Sequence, residues 1–258
     1  MAPDRAVSRN QMCLATLLAA ATLAAIGAVL AYAASPPTAA QPSGYQHVVL
    51  ADGRIFDIYK PAQLDPRPEI YLVLPGRGEH VDFAESRFGM SALGDAHHFL
   101  IGYAQGYGSN WNAGKCCENK NPQDDLTYLD QMVGVIRHEY PRASPQLRVV
   151  GFSTGGMMAY TYACNRPQVA GAAAVAGAWV SANPCNRQGL RIYHIHGVED
   201  QYVPYLGGYS PLVGYTFEPV LLLHGHFPAH TQFHLHTVPA GIHAWPDFAP
   251  SEIWDWLR

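Results

Sequence analysis

No run of lysine or arginine occurs anywhere in this chain. Charged residues make up only 14% of it and the formal net charge is −4, so the electrostatic footprint of a nucleic-acid binder is missing. Nucleic acid is therefore not expected as a partner. Cysteine is scarce, with 5 in 258 residues, and the spacing has nothing of a zinc ribbon, which leaves no basis for a metal site built on cysteine. No internal repeat is visible, and no low-complexity tract lies beyond the N-terminus, which excludes a repeat array. What remains is a chain of a length and 48% hydrophobic content suited to one large globular domain.

One long apolar run does exist, from Met12 to Ala34, preceded by Arg5 and Arg9 and followed by the structureless "SPPTAAQPSG". This is the anatomy of an export signal. Small residues at Ala31 and Ala33 favour cleavage just after Ala33, giving a signal peptide over residues 1–33, a flexible linker over 34–45 and a folded domain over 46–258. The run is also long enough to cross a bilayer, for which roughly 20 residues suffice, so the alternative is an uncleaved membrane anchor. Either way the domain is expected outside the cytoplasm, secreted or periplasmic. Four cysteines remain after the signal, Cys116, Cys117, Cys164 and Cys185, an even number in a compartment where disulfides persist. Adjacent cysteines seldom bridge each other because the geometry is strained, so Cys116 and Cys117 are expected to pair one each with Cys164 and Cys185.

From Gln46 the chain alternates short apolar runs with segments of helical period. "YQHVVLADGRIFDIYKP" holds two runs around Asp52-Gly53, a favoured hairpin turn. "EIYLVLPGRG", "HHFLIGYAQG", "LRVVGFS", "VAGAAAVAG" and "LRIYHIHG" read as buried strands. Between them, "DDLTYLDQMVGVIRHEY" puts Leu126, Leu129, Met132, Val133 and Ile136 on one helical face. "TGGMMAYTYACN" and the closing "SEIWDWLR" also read as helices. The fold class is α/β, a mostly parallel sheet covered by helices on both faces.

Gly151-Phe152-Ser153-Thr154-Gly155 is a G-x-S-x-G pattern at a junction of predicted strand and predicted helix, the context that makes Ser153 a nucleophile on a tight elbow. A serine hydroxyl needs a base to take its proton, and the base needs a carboxylate to orient it. "HGVEDQYVPY" ends a strand and supplies Asp200 as the acid, with Glu199 the competitor one residue earlier. "GIHAWPDF" offers His243 in a loop before the last helix as the base. The order Ser153, Asp200, His243 is that of the α/β-hydrolase triad. An oxyanion hole requires two backbone N–H groups, assigned here to Thr154, next after the nucleophile, and to Arg77 between Gly76 and Gly78. Trp111 in "SNWNAG" is a candidate wall of the substrate cavity, with simple packing as the other reading.

Other histidines compete for attention. His194 and His196, two apart on a strand, read as core or hydrogen-bonded side chains. His234 and His236 could present two imidazoles on one strand face, but no carboxylate or cysteine cluster accompanies them, so a polar strand is preferred and no metal is assigned.

The set "LVLPGRG", "WNAGKCC", "GFSTGGMMAY", "HGVEDQYVPYLGG" and "GIHAWP" resembles the secreted polyhydroxybutyrate depolymerase and feruloyl/acetylxylan esterase family across nearly all of the chain after Gln46. The resemblance implies an α/β-hydrolase fold and hydrolysis of carboxylic esters without a cofactor. The implied partners are ester substrates, polyester oligomers or acylated plant polysaccharide fragments, and its nucleophile, acid and base motifs fall on Ser153, Asp200 and His243. Two departures stand out. Pro75-Gly76 replaces the family's His-Gly, and the stretch between Tyr205 and Gly241 does not follow the usual pattern. An acyltransferase of the same fold and a hydrolase-fold binding protein are the alternatives; an intact triad argues against the second.

Overall fold

The computed structural model describes residues 43–117 and 124–258. The export segment read over residues 1–33 and nearly all of the linker read over 34–45 lie outside the described residues. Two amphipathic runs, β1 (Gly44–Val49) and β2 (Ile55–Lys60), form the expected antiparallel hairpin, closed by a turn in which Gly53 takes a φ of 82°. The fully apolar runs become buried strands: β3 (Ile70–Leu74), β4 (Leu100–Ala104), β5 (Leu147–Phe152), β6 (Val169–Val175) and β7 (Arg191–Gly197). The edge strand β10 (Gln232–Val238) completes a sheet of order β1-β2-β4-β3-β5-β6-β7-β10. Pairing is parallel from β4 through to β10 and antiparallel only at β1 and β2. A short separate hairpin pairs β8 (Gly208–Ser210) with β9 (Tyr215–Phe217).

Both faces of the sheet are covered, as the unbroken apolar strands require. On one side lie α3 (Asp125–Glu139) and α4 (Thr154–Asn165), whose Leu129, Met132, Ile136, Met158 and Tyr162 pack with Leu72, Val149 and Ala172. On the other lie α1 (Val81–Arg87), α2 (Met90–His97) and α5 (Ala249–Leu257), packed on Tyr71, Val73, Val150 and Tyr193. Asp124 caps α3 by accepting the Leu126 N–H at 2.9 Å, which fixes where that helix begins. No helix among the described residues is long and apolar enough to cross a membrane.

The chain runs outward from β3 to β4, then returns across β3 to β5 on its other side. Reversal of direction at β3 and β5 opens a crevice beyond their C-terminal ends, where open α/β sheets place their ligands. The loops after β3 and β5 carry Arg77 and Ser153.

The disulfides differ from expectation. Cys164 bridges Cys185, with Cα atoms 5.3 Å apart, and Cys116 bridges its neighbour Cys117. The reason is the length of α4. Cys164 sits in the last turn of that helix, whereas Cys117 borders the cavity at its first turn, beside Ser153 and Thr154. Ten residues of helix separate the two ends by about 15 Å, well beyond the roughly 7 Å a disulfide can span. The adjacent pair is thus left to each other, with Cys117 at a φ of 69°.

Candidate active site

Ser153 occupies the turn between β5 and α4 with φ 53° and ψ −120°, a conformation that L-residues rarely hold. Two backbone contacts make the turn possible. A Cβ on Gly151 would lie 2.2 Å from the Gly155 carbonyl oxygen, and one on Gly155 would lie 2.1 Å from that of Leu74. Only glycine at both positions lets β5, the elbow and β3 approach this closely, so the motif seen in the sequence is a packing requirement. Ser153 N–H donates to Val175 O at 2.8 Å, anchoring the strained residue to β6.

His243 stands in the loop after β10, flanked by the rings of Phe152 and Tyr202 at centroid distances of 5.0 and 4.9 Å. Its Nε2 is 2.9 Å from Ser153 Oγ and its Nδ1 is 2.7 Å from Asp200 Oδ2. A carboxylate accepts only, so Nδ1 carries the proton, and Nε2 is left free to accept from the serine hydroxyl. Asp200 follows β7, is 5% exposed, and takes the backbone N–H groups of Tyr202 and Val203 on Oδ1, each at 2.8 Å. Burial alone would raise its carboxyl. Hydrogen bonds from His196 and His243 outweigh that and hold it well below the usual carboxylate range. Glu199, the competing acid, is exposed and sends its backbone N–H to Gly241 O at 2.8 Å. The acid and base loops touch at Gly197 and Gly241, where a Cβ on Gly197 would meet Gly241 O at 2.2 Å.

Behind Asp200 lies a buried string that sequence reading assigned only to structure. His196 Nε2 donates to Val203 O at 2.8 Å and lies 3.3 Å from Asp200 Oδ2. With that proton on Nε2, His196 Nδ1 accepts from His194 Nε2 at 2.8 Å, and His194 Nδ1 accepts from Tyr160 Oη at 2.6 Å. Burial, with the neighbouring His196, pushes His194 well below its ordinary range. The string ends at Val203 O, with Asp200 Oδ2 farther off at 3.3 Å from the same nitrogen.

Among the described residues, no acceptor takes the backbone N–H of Arg77 or of Thr154. Both line a cavity of about 570 Å³ that also holds Ser153, His243, Met157, Val203, Leu212, Val213 and Cys117. A second cavity of similar size shares Glu79, Phe152 and His243 with the first and extends past Phe88, Trp245, Arg87 and Asp247. Trp111 is not on either wall. It is 1% exposed and donates Nε1–H to Pro75 O at 2.8 Å, so it props the loop after β3 from behind. The indole is large enough to line a cavity, but its one polar atom found a partner in the core. The cavity wall goes instead to Cys117, Tyr202 and Leu212, none of which a sequence motif marks.

Glu79 is a further omission from the sequence reading. It accepts Gly76 N–H on Oε2 at 2.6 Å, and burial raises its carboxyl while that bond and the nearby His243 draw it back. The histidines of β10 are used locally. His236 Nδ1 lies 2.6 Å from Glu252 Oε2, and His234 stacks on Tyr193.

A serine hydroxyl on a strained turn, an imidazole between it and a buried carboxylate, and two unused N–H groups form a set whose geometry suits acyl transfer. Comparison with known proteins is consistent with that chemistry. A family model described as phospholipase/carboxylesterase matches residues 117–211. The chain is 24% identical over 155 residues to a bifunctional acetylxylan esterase/xylanase of Neocallimastix patriciarum, covering 59% of this chain and 22% of that protein. It spans only 22% to 35% of the length of the curated relatives it matches. Among solved structures, an acetyl xylan esterase from Aspergillus awamori superposes with a TM-score of 0.59 at 16% identity, covering 83% of this chain and 98% of that one. An S-formylglutathione hydrolase from Agrobacterium tumefaciens gives a TM-score of 0.60 at 12% identity, covering 86% and 98%. The fold is that of the α/β-hydrolases.

Proposed function

We propose that this protein is an extracytoplasmic serine esterase that hydrolyses carboxylic esters through an acyl-enzyme intermediate, with Ser153 as nucleophile, His243 as base and Asp200 as the orienting acid. The observation that carries this is the unbroken hydrogen-bond sequence from Ser153 Oγ through His243 to Asp200 Oδ2, at 2.9 and 2.7 Å, beside two unclaimed backbone N–H groups. Esterase names among its relatives support the same reaction class.

In this mechanism Ser153 Oγ adds to the ester carbonyl carbon as His243 Nε2 takes the hydroxyl proton. The carbonyl oxygen becomes an oxyanion and receives the N–H groups of Arg77 and Thr154, the latter at the positive end of α4. Asp200 stabilises the imidazolium. When the tetrahedral species collapses, the C–O bond to the alcohol breaks and His243 returns its proton to the departing oxygen. Water then enters, loses a proton to His243 and attacks the acyl carbon, and Ser153 leaves with that proton as the acid is released.

The cavity around Ser153 has an apolar wall of Met157, Val203, Leu212 and Val213. That wall suits the acyl part of a polyhydroxybutyrate-type oligomer or the aromatic acyl group of a feruloyl ester, and acetyl esters of plant polysaccharide fit the same chemistry. Two disulfides favour a location outside the cytoplasm. The test is hydrolysis of a short-chain nitrophenyl ester by the purified chain and by Ser153→Ala, with fluorophosphonate labelling of both. Activity and labelling in the parent, reduced by several orders of magnitude and abolished respectively in Ser153→Ala, is the expected result. A folded parent that neither hydrolyses nor labels refutes the proposal and leaves a binding role.

A further inference from the structure

The loop after β3 must present one backbone N–H to the oxyanion and keep its other donors out of the way. Gly76, Arg77, Gly78 and Glu79 form a tight turn, closed by Glu79 N–H donating to Gly76 O at 3.2 Å, with Gly78 at a φ of 80° in the third position. Four N–H groups are available in this turn, and three are spent. Gly76 N–H goes to Glu79 Oε2 at 2.6 Å, Gly78 N–H to Ser109 O at 2.7 Å, and Glu79 N–H to Gly76 O. Arg77 N–H is the remainder.

Gly76 and Glu79 therefore hold each other twice, once through the backbone and once through the carboxylate. The side-chain bond is short and ties Glu79 directly to the backbone at the start of the turn. It also sits beside the chemistry: a Cβ on Gly76 would lie 3.1 Å from Glu79 Oε2 and 3.3 Å from Ser153 Cβ. Gly76 N–H belongs to the Pro75–Gly76 peptide, so releasing it frees that peptide to rotate and carries the turn that follows, the Arg77 donor included, relative to the nucleophile. Glu79 does not need to contact substrate to matter.

We infer that Glu79 is a positioning residue for the oxyanion hole, its carboxylate clamping Gly76 N–H so that Arg77 N–H alone faces the developing negative charge. The inference rests on the esterase reading above. A donor needed in the transition state and not in the ground state affects kcat and leaves KM nearly untouched. Complete loss of one such donor costs about a hundredfold to a thousandfold in rate, so loss of the clamp, which loosens the donor without deleting it, is expected to cost about tenfold to a hundredfold.

The experiment compares the full chain with Glu79→Ala, Glu79→Asp and Glu79→Gln on a short-chain nitrophenyl ester, together with inhibition by a trifluoromethyl ketone, whose hemiketal oxyanion occupies the same hole. Glu79→Ala should lower kcat about tenfold to a hundredfold with KM changed less than about threefold, and should weaken the ketone by the same factor as kcat. Glu79→Asp, one methylene too short to reach Gly76, should behave like Glu79→Ala. Glu79→Gln, whose amide oxygen can accept the same N–H, should recover most of the loss. A Glu79→Ala enzyme with wild-type kcat and ketone affinity overturns the inference while leaving the esterase intact. So does a Glu79→Gln enzyme as impaired as Glu79→Ala, because the effect would then belong to charge. A parent with no activity and no fluorophosphonate labelling is a failure of the esterase reading itself, and is recognised before any variant is measured.

Discussion

Replacing Asp200 by asparagine changes one atom and should disable the site through a tautomer. The structure dictates how the new amide must lie. Oδ1 faces two backbone N–H groups, from Tyr202 and Val203 at 2.8 Å each, and Oδ2 faces His243 Nδ1 at 2.7 Å. Putting the amide nitrogen at the Oδ1 position would set it against two donors and strand both, at about 1–3 kcal/mol each. The nitrogen is therefore driven to the Oδ2 position, where it donates to His243 Nδ1. The imidazole proton then moves to Nε2, 2.9 Å from Ser153 Oγ, and the base becomes a donor toward the group it should deprotonate. A wrong tautomer in an intact triad lowers kcat about 10⁴-fold, equivalent to about 5.4 kcal/mol of transition-state stabilisation. The assay is kcat/KM on a nitrophenyl ester, with circular dichroism and thermal melting to show that the variant is folded. A folded Asp200→Asn within about tenfold of the parent would refute the tautomer argument and return Asp200 to a packing role.

Two further expectations concern stability. The Cys164–Cys185 bridge closes a loop with a sequence separation of 21, so removing it with Cys164→Ser and Cys185→Ser should cost about 3 kcal/mol by the chain-entropy estimate. Since the bridge lies at the far end of α4 from Ser153, initial rates at 25 °C should hold, and a melting temperature unchanged from the parent would show the bridge to be dispensable. Glu85, on α1, has its carboxyl pushed up to about 8 by burial and by the Asp57 carboxylate. Because the folded chain retains a proton that the unfolded chain releases near the ordinary glutamate value of about 4.3, stability falls as pH rises between that value and about 8. Glu85→Gln removes the group, so its melting temperature should gain on the parent progressively through that window; curves that stay parallel from pH 5 to pH 9 would count against the assignment.

What was legible in the sequence was whatever the backbone itself demands. A Cβ at Gly151 or Gly155 would meet a carbonyl oxygen little more than 2 Å away, so the glycine pattern marks the elbow, and Asp200 and His243, proposed as acid and base, stand in loops that follow strands. What escaped notice depends on which side of a turn faces inward. Trp111 and Cys117 lie in one short segment, yet the indole went to the core and the sulfur to the cavity. His194 and His196 were read as core, hydrogen-bonded side chains and are both, but nothing in "HIHG" shows that the His196 ring reaches Asp200. The disulfide pairing was not legible either, because it depends on Cys117 lying at the cavity, at the opposite end of α4 from Cys164, and no motif marks that place. A clue to Glu79 was present too: a lone carboxylate directly after Gly76-Arg77-Gly78, in a loop expected to present an N–H.

The two groups proposed to react are unequally anchored. Ser153 follows β5, which is paired on both sides by β3 and β6, whereas His243 follows β10, which pairs only with β7 at the margin of the sheet. Margins open at lower free energy than centres, through fluctuations that leave the rest of the protein folded. Loss of β10 from β7 would therefore carry His243 away while both cores stay packed, so the adhesion of that edge strand is expected to limit how long the site lasts. Cross-strand substitutions along that one seam can lengthen or shorten the lifetime without touching a group that meets substrate.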